Sequence, residues 1–313
     1  MNTVDLSVWA VSQVISKLTF YCGYAAGVGG LYVILATRRV LNIQFSQFTR
    51  AYSRTGIGLA FFAVLLLFFL QVGALSDTGL SGMLDPTMAN ILWHTHAGPV
   101  LLAQLAGLLC LFIASFWIKV RQDTGGTNDT PESYSSFNQI VGISLYGSGA
   151  VITAASLSPI GHTAELAWIF KLLISLHVMV MAWWIGALWP LQQTCKAFSQ
   201  PDLAKLMTQF GQIAMGLVGI LLIAGGLLLL QIIPSWRDLL DSVYGNLFLT
   251  KLLLVSAILA IAARHKIRFT PYLATQTSIA ERLSRSIIVE LAIALAILTV
   301  TACLTTVVGP AHS

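Results

Sequence analysis

Eight stretches of this chain, at about 9–35, 56–75, 97–118, 138–157, 165–190, 212–233, 246–263 and 286–308, are apolar over roughly the 20 residues that a helix needs to cross a bilayer. Backbone polar groups in lipid must be satisfied within the segment, so such runs can only be helical. The 313 residues are 57% hydrophobic and 9% charged, against about 25% charged in an ordinary soluble domain. The sequence therefore predicts an all-α polytopic membrane bundle of eight transmembrane helices, with no sizeable soluble domain.

The linkers sort the basic residues. Arg38, Arg39, Arg50, Arg54, Lys119, Arg121, Lys196, Lys205, Arg264, Lys266, Arg268, Arg282 and Arg285 fall in the first, third, fifth and seventh connections. Arg237 alone lies on the other side. By the positive-inside rule, both termini face the periplasmic or outer side, as does the stretch "ILWHTHAGPV" at 91–100. The net charge of +5 is then a topology signal, and no nucleic-acid partner is expected. The first run lacks a basic n-region, follows Asp5 and exceeds a signal h-region in length, so it reads as a retained helix. Cys22, Cys110, Cys195 and Cys303 show no CxxC spacing, so they read as small buried hydrophobes rather than a disulfide framework.

The longest cytoplasmic connection, "KVRQDTGGTNDTPESYSSFNQ", is rich in Gly, Thr, Ser and Asp and reads as a solvated linker at 121–137. It divides an N-terminal half, residues 1–120 with the first three spans, from residues 138–313 with the remaining five. Small-residue patches, "GYAAGVGG" at 23–30, "YGSGA" at 146–150 and "AGG" at 224–226, predict close helix contacts, because apolar burial does not drive association in lipid.

Ionisable groups inside spans are expensive and are functional candidates by default. Lys17, Lys171 and Lys251 enter from the outer side; Lys171 and Lys251 can snorkel to the headgroups, and Lys17 is placed deep enough to face the bundle interior. Glu290 lies about one turn inside the cytoplasmic end of the last span, within reach of Arg285 or Arg264. His177 falls near the midplane of the fifth span. Met181 follows at i+4 and Trp184 at i+7, so imidazole, thioether and indole share a helical face. Either His177 bonds a neighbouring backbone while Met181 fills a gap, or the two form a soft metal site.

At 91–100, Pro99 fits a first helical turn and disfavours α geometry at Gly98. His94 and His96 are then expected in non-helical backbone, where i and i+2 point to one side and can share an ion. The same outer loop supplies Met83 and Met88, and the next supplies His162 in "SPIGHTAE". Imidazole with thioether suits copper; Asp77 and Asp85 leave a harder divalent ion open. Water-satisfied interfacial histidines are the plain alternative for the pair, and for His312 near the C-terminus.

The second half resembles the CopD family of bacterial copper-resistance inner-membrane proteins. The resemblance is carried by "GHTAELAWIFKLLISLHVMVMAWWIGALWPL" (161–191), "QFGQIAMGLVGILLIAGG" (209–226), "VYGNLFLTKLLLVSAILAIAARHKIRFTPYL" (243–273) and "SRSIIVELAIAL" (284–295). It implies an eight-helix bacterial inner-membrane protein that handles copper, Cu(I) or Cu(II), beside a separate CopC-like periplasmic copper-binding protein. The sequence departs from the family pattern at Ile174, Gly186-Ala187, His265-Lys266 and Thr95-His96-Ala97-Gly98 with Gln104. It is richer in imidazole at the outer mouth and poorer in charge behind it.

Two functions follow. In the first, copper is captured by His94, His96, Met83, Met88 and His162 and passed to His177 and Met181, with Lys17, Lys171, Lys251 and Glu290 as coupling groups. No G-x-x-x-x-G-K-[ST] loop occurs, so transport without ATP hydrolysis and no enzymatic activity are expected. In the second, the histidines are axial ligands of a b-type haem protein or a haem-modifying enzyme. A structural or sensory subunit that carries no substrate is a third reading.

Overall fold

The computed structural model describes residues 7–38, 40, 42–76, 78–118, 136–158, 167–232, 240 and 242–307. Among them the chain forms α1 (Val8–Thr37), α2 (Ile43–Ser76), α3 (Pro86–Trp93), α4 (Ala97–Trp117), α5 (Ser136–Ala155), α6 (Trp168–Ala197), α7 (Gln200–Ile232), α8 (Val243–Arg264) and α9 (Thr277–Leu304). Each predicted span coincides with a long helix. Seven are long and apolar enough to cross a membrane; α5, which carries Asn138, Gln139 and several serines and glycines, is outside that set. The short α3 is an addition to the predicted elements.

Several helices outrun their apolar stretches. The second span is predicted from about residue 56, yet α2 begins at Ile43 and runs for 34 residues, about 51 Å at 1.5 Å per residue. Hydropathy marks only the part that lies in hydrocarbon. Helical hydrogen bonding continues through Arg50 and Arg54 into the polar zone. There Arg54 donates from Nε to Ser115 Oγ and from an Nη to Ser115 O, both at 3.1 Å, and stacks over Phe116. A guanidinium thus supplies the Ser115 carbonyl, one of the last of α4 and at the negative end of the helix dipole.

The small-residue patches at 23–30 and 146–150 set the packing, whereas at 224–226 Gly225 only touches the His177 ring and a β-carbon at Gly226 would meet nothing within 4 Å, so no helix approaches closely there. On α1, Gly23 lies against Gly56 and Ala60 of α2, Gly30 against Ser53, and Gly29 against Gly186 and Ala187 of α6. Gly107 of α4 meets Gly149 and Thr153 of α5. At Gly23, Gly29 and Gly107 neighbouring backbone occupies the place of a side chain, and at Gly30 the Ser53 hydroxyl does. Tyr24 donates to Ala150 O at 2.6 Å and Tyr146 donates to Val28 O at 3.0 Å, a reciprocal pair that joins α1 to α5. Large apolar side chains such as Phe62, Ile223 and Leu253 point outward, where lipid is as good a solvent as the core.

Pro190 sits inside α6 and leaves the Gly186 carbonyl without its helical donor. Tyr52 of α2 donates its hydroxyl to that carbonyl at 3.2 Å. Tyr52→Phe is expected to destabilise the bundle by about 1–3 kcal/mol, the cost of an unsatisfied buried acceptor. In a Pro190→Ala background, where residue 190 regains its N–H, the same substitution should cost under about 0.5 kcal/mol. Denaturant unfolding of the four proteins in detergent measures both; equal costs in the two backgrounds would refute the link.

Candidate functional site: a polar stripe on α6 and a histidine corner

Three residues of α6, His177, Trp184 and Gln192, are spaced seven and eight apart, so they lie close to one face of the helix over about 22 Å. Each meets the C-terminal part of the chain. His177 lies about 14 Å into α6. Its ring faces Gly225 of α7, with which a β-carbon would be in ordinary contact, and is close enough to Lys251 of α8 for the two to interact electrostatically. His177 Nδ1 is buried and has no hydrogen-bond partner among the described residues. An unsatisfied buried polar atom is costly and marks a site that a proton or a ligand can complete.

Two helical turns further on, Trp184 is a hydrogen-bond donor to Glu290 of α9. Glu290 is 2% exposed. Its carboxylate lies 3.3 Å from His265 Nδ1, and His265 Nε2 is 2.7 Å from Ser286 Oγ. The polar partner of Glu290 is therefore His265, not the expected Arg285 or Arg264. A π-turn at His265–Phe269 follows α8 directly and leaves the imidazole directed at α9. Such insertions recur at functional sites because they redirect side chains that a regular helix would place elsewhere. With both ring nitrogens engaged, His265 is a poor metal ligand and a good link in a hydrogen-bonded chain. The stripe ends at Gln192, which donates to Ser284 Oγ at 2.9 Å and accepts from Gln193.

The face predicted for His177, Met181 and Trp184 is divided among neighbours. Met181 packs against the apolar core, Trp184 turns to α9 and His177 to α7 and α8. Lys17 donates to Thr305 O at 2.7 Å and so supplies a carbonyl at the C-terminal end of α9. Lys171 is half-buried in the first turn of α6, within snorkelling reach of a helix end.

The two histidines at 94 and 96 form a tight corner rather than the extended backbone expected from Pro99. Helix α4 starts at Ala97, which puts Pro99 at its third residue, and His94 and His96 both adopt right-handed helical dihedrals. Proline lacks only an N–H that the first turn leaves unpaired, so it does not force the start to its own position. Alternation of sides along a strand does not apply to this pair. Thr95 holds the corner: its hydroxyl donates to Leu92 O at 2.6 Å and accepts from Ala97 N at 3.2 Å.

Both histidines are exposed. His94 Nδ1 lies 2.8 Å from the Asn90 carbonyl, which only accepts, so Nδ1 is the donor and Nε2 is left with a lone pair. Metal-ligating histidines commonly carry such a bond on their other nitrogen. Met83 is wedged beside Gly73 and Trp9, Met88 packs on the core and Asp85 caps α3. His162, His312 and Asp77 lie outside the described residues, as does most of the 121–137 linker. Among the described residues no three His, Cys, Asp or Glu gather as a metal cluster. No observation supports the haem reading: His265 uses both ring nitrogens, His177 faces Gly225 and Lys251, and His94 and His96 share one corner.

Long apolar helices, close glycine contacts and ionisable groups kept inside the bundle define a multi-pass α-helical membrane protein. Residues 204–304 match the family model described as Copper resistance protein D, CopD. The matched span is about a third of the chain; it contains Lys251, His265 and Glu290 and stops short of His177 on α6. No match was found among curated proteins or among solved structures.

The matched span thus meets α6 along its polar stripe. Sequence reasoning missed His265 as the partner of Glu290 and Tyr52 as the partner of Gly186. The signal for Tyr52 was available in Pro190, whose missing N–H requires a donor from elsewhere; the pairing of His265 had no local signal.

Proposed function

We propose that the protein handles copper at the periplasmic face of a bacterial inner membrane and moves it into or across the bilayer without hydrolysing ATP. The CopD match at 204–304 carries this reading. It is supported by the exposed imidazole corner, with the free Nε2 of His94, and by the unpartnered Nδ1 of His177 deeper in the bundle. Met83 lies beside Trp9 near the start of α1, so the corner and the N-terminal end of α1 share one end of the molecule. A separate CopC-like periplasmic protein is the proposed copper donor, His162 and Met88 are further candidate ligands at the mouth, and Met181 is a candidate beside His177.

An ammonium beside the His177 imidazole opposes long residence of a cation. It therefore suits transient contact, as conduction requires. Lys251 and the chain Trp184–Glu290–His265–Ser286 are the proposed coupling groups, and Lys17 is assigned a structural role.

Eight spans with both termini outside fit the geometry. This reading is supported by the Lys17 donation to Thr305 O, which brings α1 and the C-terminal end of α9 together. In this reading α5 is the eighth span. Its contacts pair Gly142 with Trp117 and Gly149 with Gly107, so it runs antiparallel to α4.

The test is elemental analysis and a visible spectrum of protein purified from copper-supplemented cells. About one copper per chain without a Soret band is expected. His94→Ala/His96→Ala should weaken binding about tenfold without altering the folded bundle. His177→Ala should leave capture intact and abolish copper tolerance in cells. Unchanged binding in the double variant would place capture elsewhere, and a Soret band would revive the haem reading.

A further inference from the structure

We propose that the arginine-lined cleft between the end of α8 and the start of α9 binds the phosphate headgroup of an anionic lipid. Arg264, Arg268, Arg282 and Arg285 all line one cavity of about 760 Å³. Arg264 and Arg268 come from the end of α8 and its π-turn, Arg282 and Arg285 from the first turns of α9.

Basic residues at this end of the bundle are required for topology, but topology does not require them to converge. Among the described residues none of the four guanidiniums has an acidic partner; Glu290 is taken by His265, and Glu281 pairs with none of them. Four like charges around one cavity repel, and an anion between them turns that repulsion into attraction. Guanidinium forks match phosphate oxygens in bidentate geometry, and basic pockets between transmembrane helices bind lipid headgroups.

The cavity also distinguishes a lipid from a free ion. Tyr272 and Gln276 add polar groups at its basic end, and Ile261 and Val289 line it on the membrane-spanning parts of α8 and α9. Val289 and its neighbour Ile288 are about half exposed on the apolar surface of α9. A headgroup held by the arginines leaves its acyl chains an apolar path along this face. Inorganic phosphate uses only half of the site.

The experiment is native mass spectrometry of the full-length protein, delipidated in detergent, titrated with dioctanoyl phosphatidylglycerol, dioctanoyl phosphatidylcholine or inorganic phosphate. The wild type is expected to retain phosphatidylglycerol at concentrations where phosphatidylcholine and phosphate leave no adduct. Arg268→Gln/Arg282→Gln should weaken that adduct at least about tenfold. Equal retention of the two lipids would overturn the proposal, as would a double variant that binds like the wild type. Displacement of the lipid by an equal concentration of phosphate would reassign the cleft to a free anion. The comparison of the two lipids on the wild type needs no variant, so it decides even if the double variant does not fold.

Discussion

Gly186→Leu is expected to abolish the folded protein. A β-carbon at residue 186 would coincide with the Ala25 carbonyl of α1, and one at Gly29 would coincide with the backbone of Gly186 and Ala187. Rigid backbone fills the space on both sides, so no side chain can rotate away. The two helices would have to separate along their whole contact, which also holds the Tyr32–Trp183 edge-to-face pair. Overpacking inside a core costs about 1–3 kcal/mol when neighbours can adjust. Here the cost should reach the whole stability of a marginal protein, about 5–15 kcal/mol. Size-exclusion chromatography of a fluorescent fusion should show no monodisperse peak for Gly186→Leu or Gly29→Leu. Gly216→Leu, where a β-carbon meets nothing within 4 Å, should elute like the wild type. A normal peak for both core variants would mean that α1 and α6 do not approach at these glycines.

The second large effect concerns Glu290 and His265. Glu290 and His265 meet inside the bundle, and removing one strands the polar atom of the other, at a cost of about 1–3 kcal/mol. Glu290→Ala and His265→Ala should each show that loss in denaturant unfolding. The double variant should cost much less than their sum, because neither partner is then left unpaired. Glu290→Gln keeps an acceptor for His265 and should retain most of the stability. If Glu290 also serves ion coupling, the glutamine variant should fold normally and still fail to support copper tolerance in cells. Additive single-variant losses would show that the two side chains do not meet.

Much of the architecture is local and therefore legible in the chain. A span announces itself because each residue in hydrocarbon pays its own transfer cost, and the small residues of 23–30 and 146–150 announce close contact because lipid gives helices no other reason to approach. The helices at all eight apolar runs and the α1–α2, α1–α6 and α4–α5 glycine contacts follow from those rules. The rules fix that a helix packs closely, without saying on which partner.

Partners were decided only by the tertiary structure. Glu290 has arginines closer in sequence than His265, yet the π-turn after α8 delivers the imidazole and leaves Arg264 and Arg268 lining the cleft. His177, Met181 and Trp184 follow one helical period, but three different neighbours take them up. Pro99 did not keep Gly98 out of the helix, since α4 already includes Ala97 and Gly98, whereas the hydrogen bonds of Thr95 shaped the corner at His94 and His96. Hydropathy and period are properties of one helix. The chemistry of a buried histidine or carboxylate depends on what the next helix brings within about 3 Å, and that distance is set by how the backbones pack.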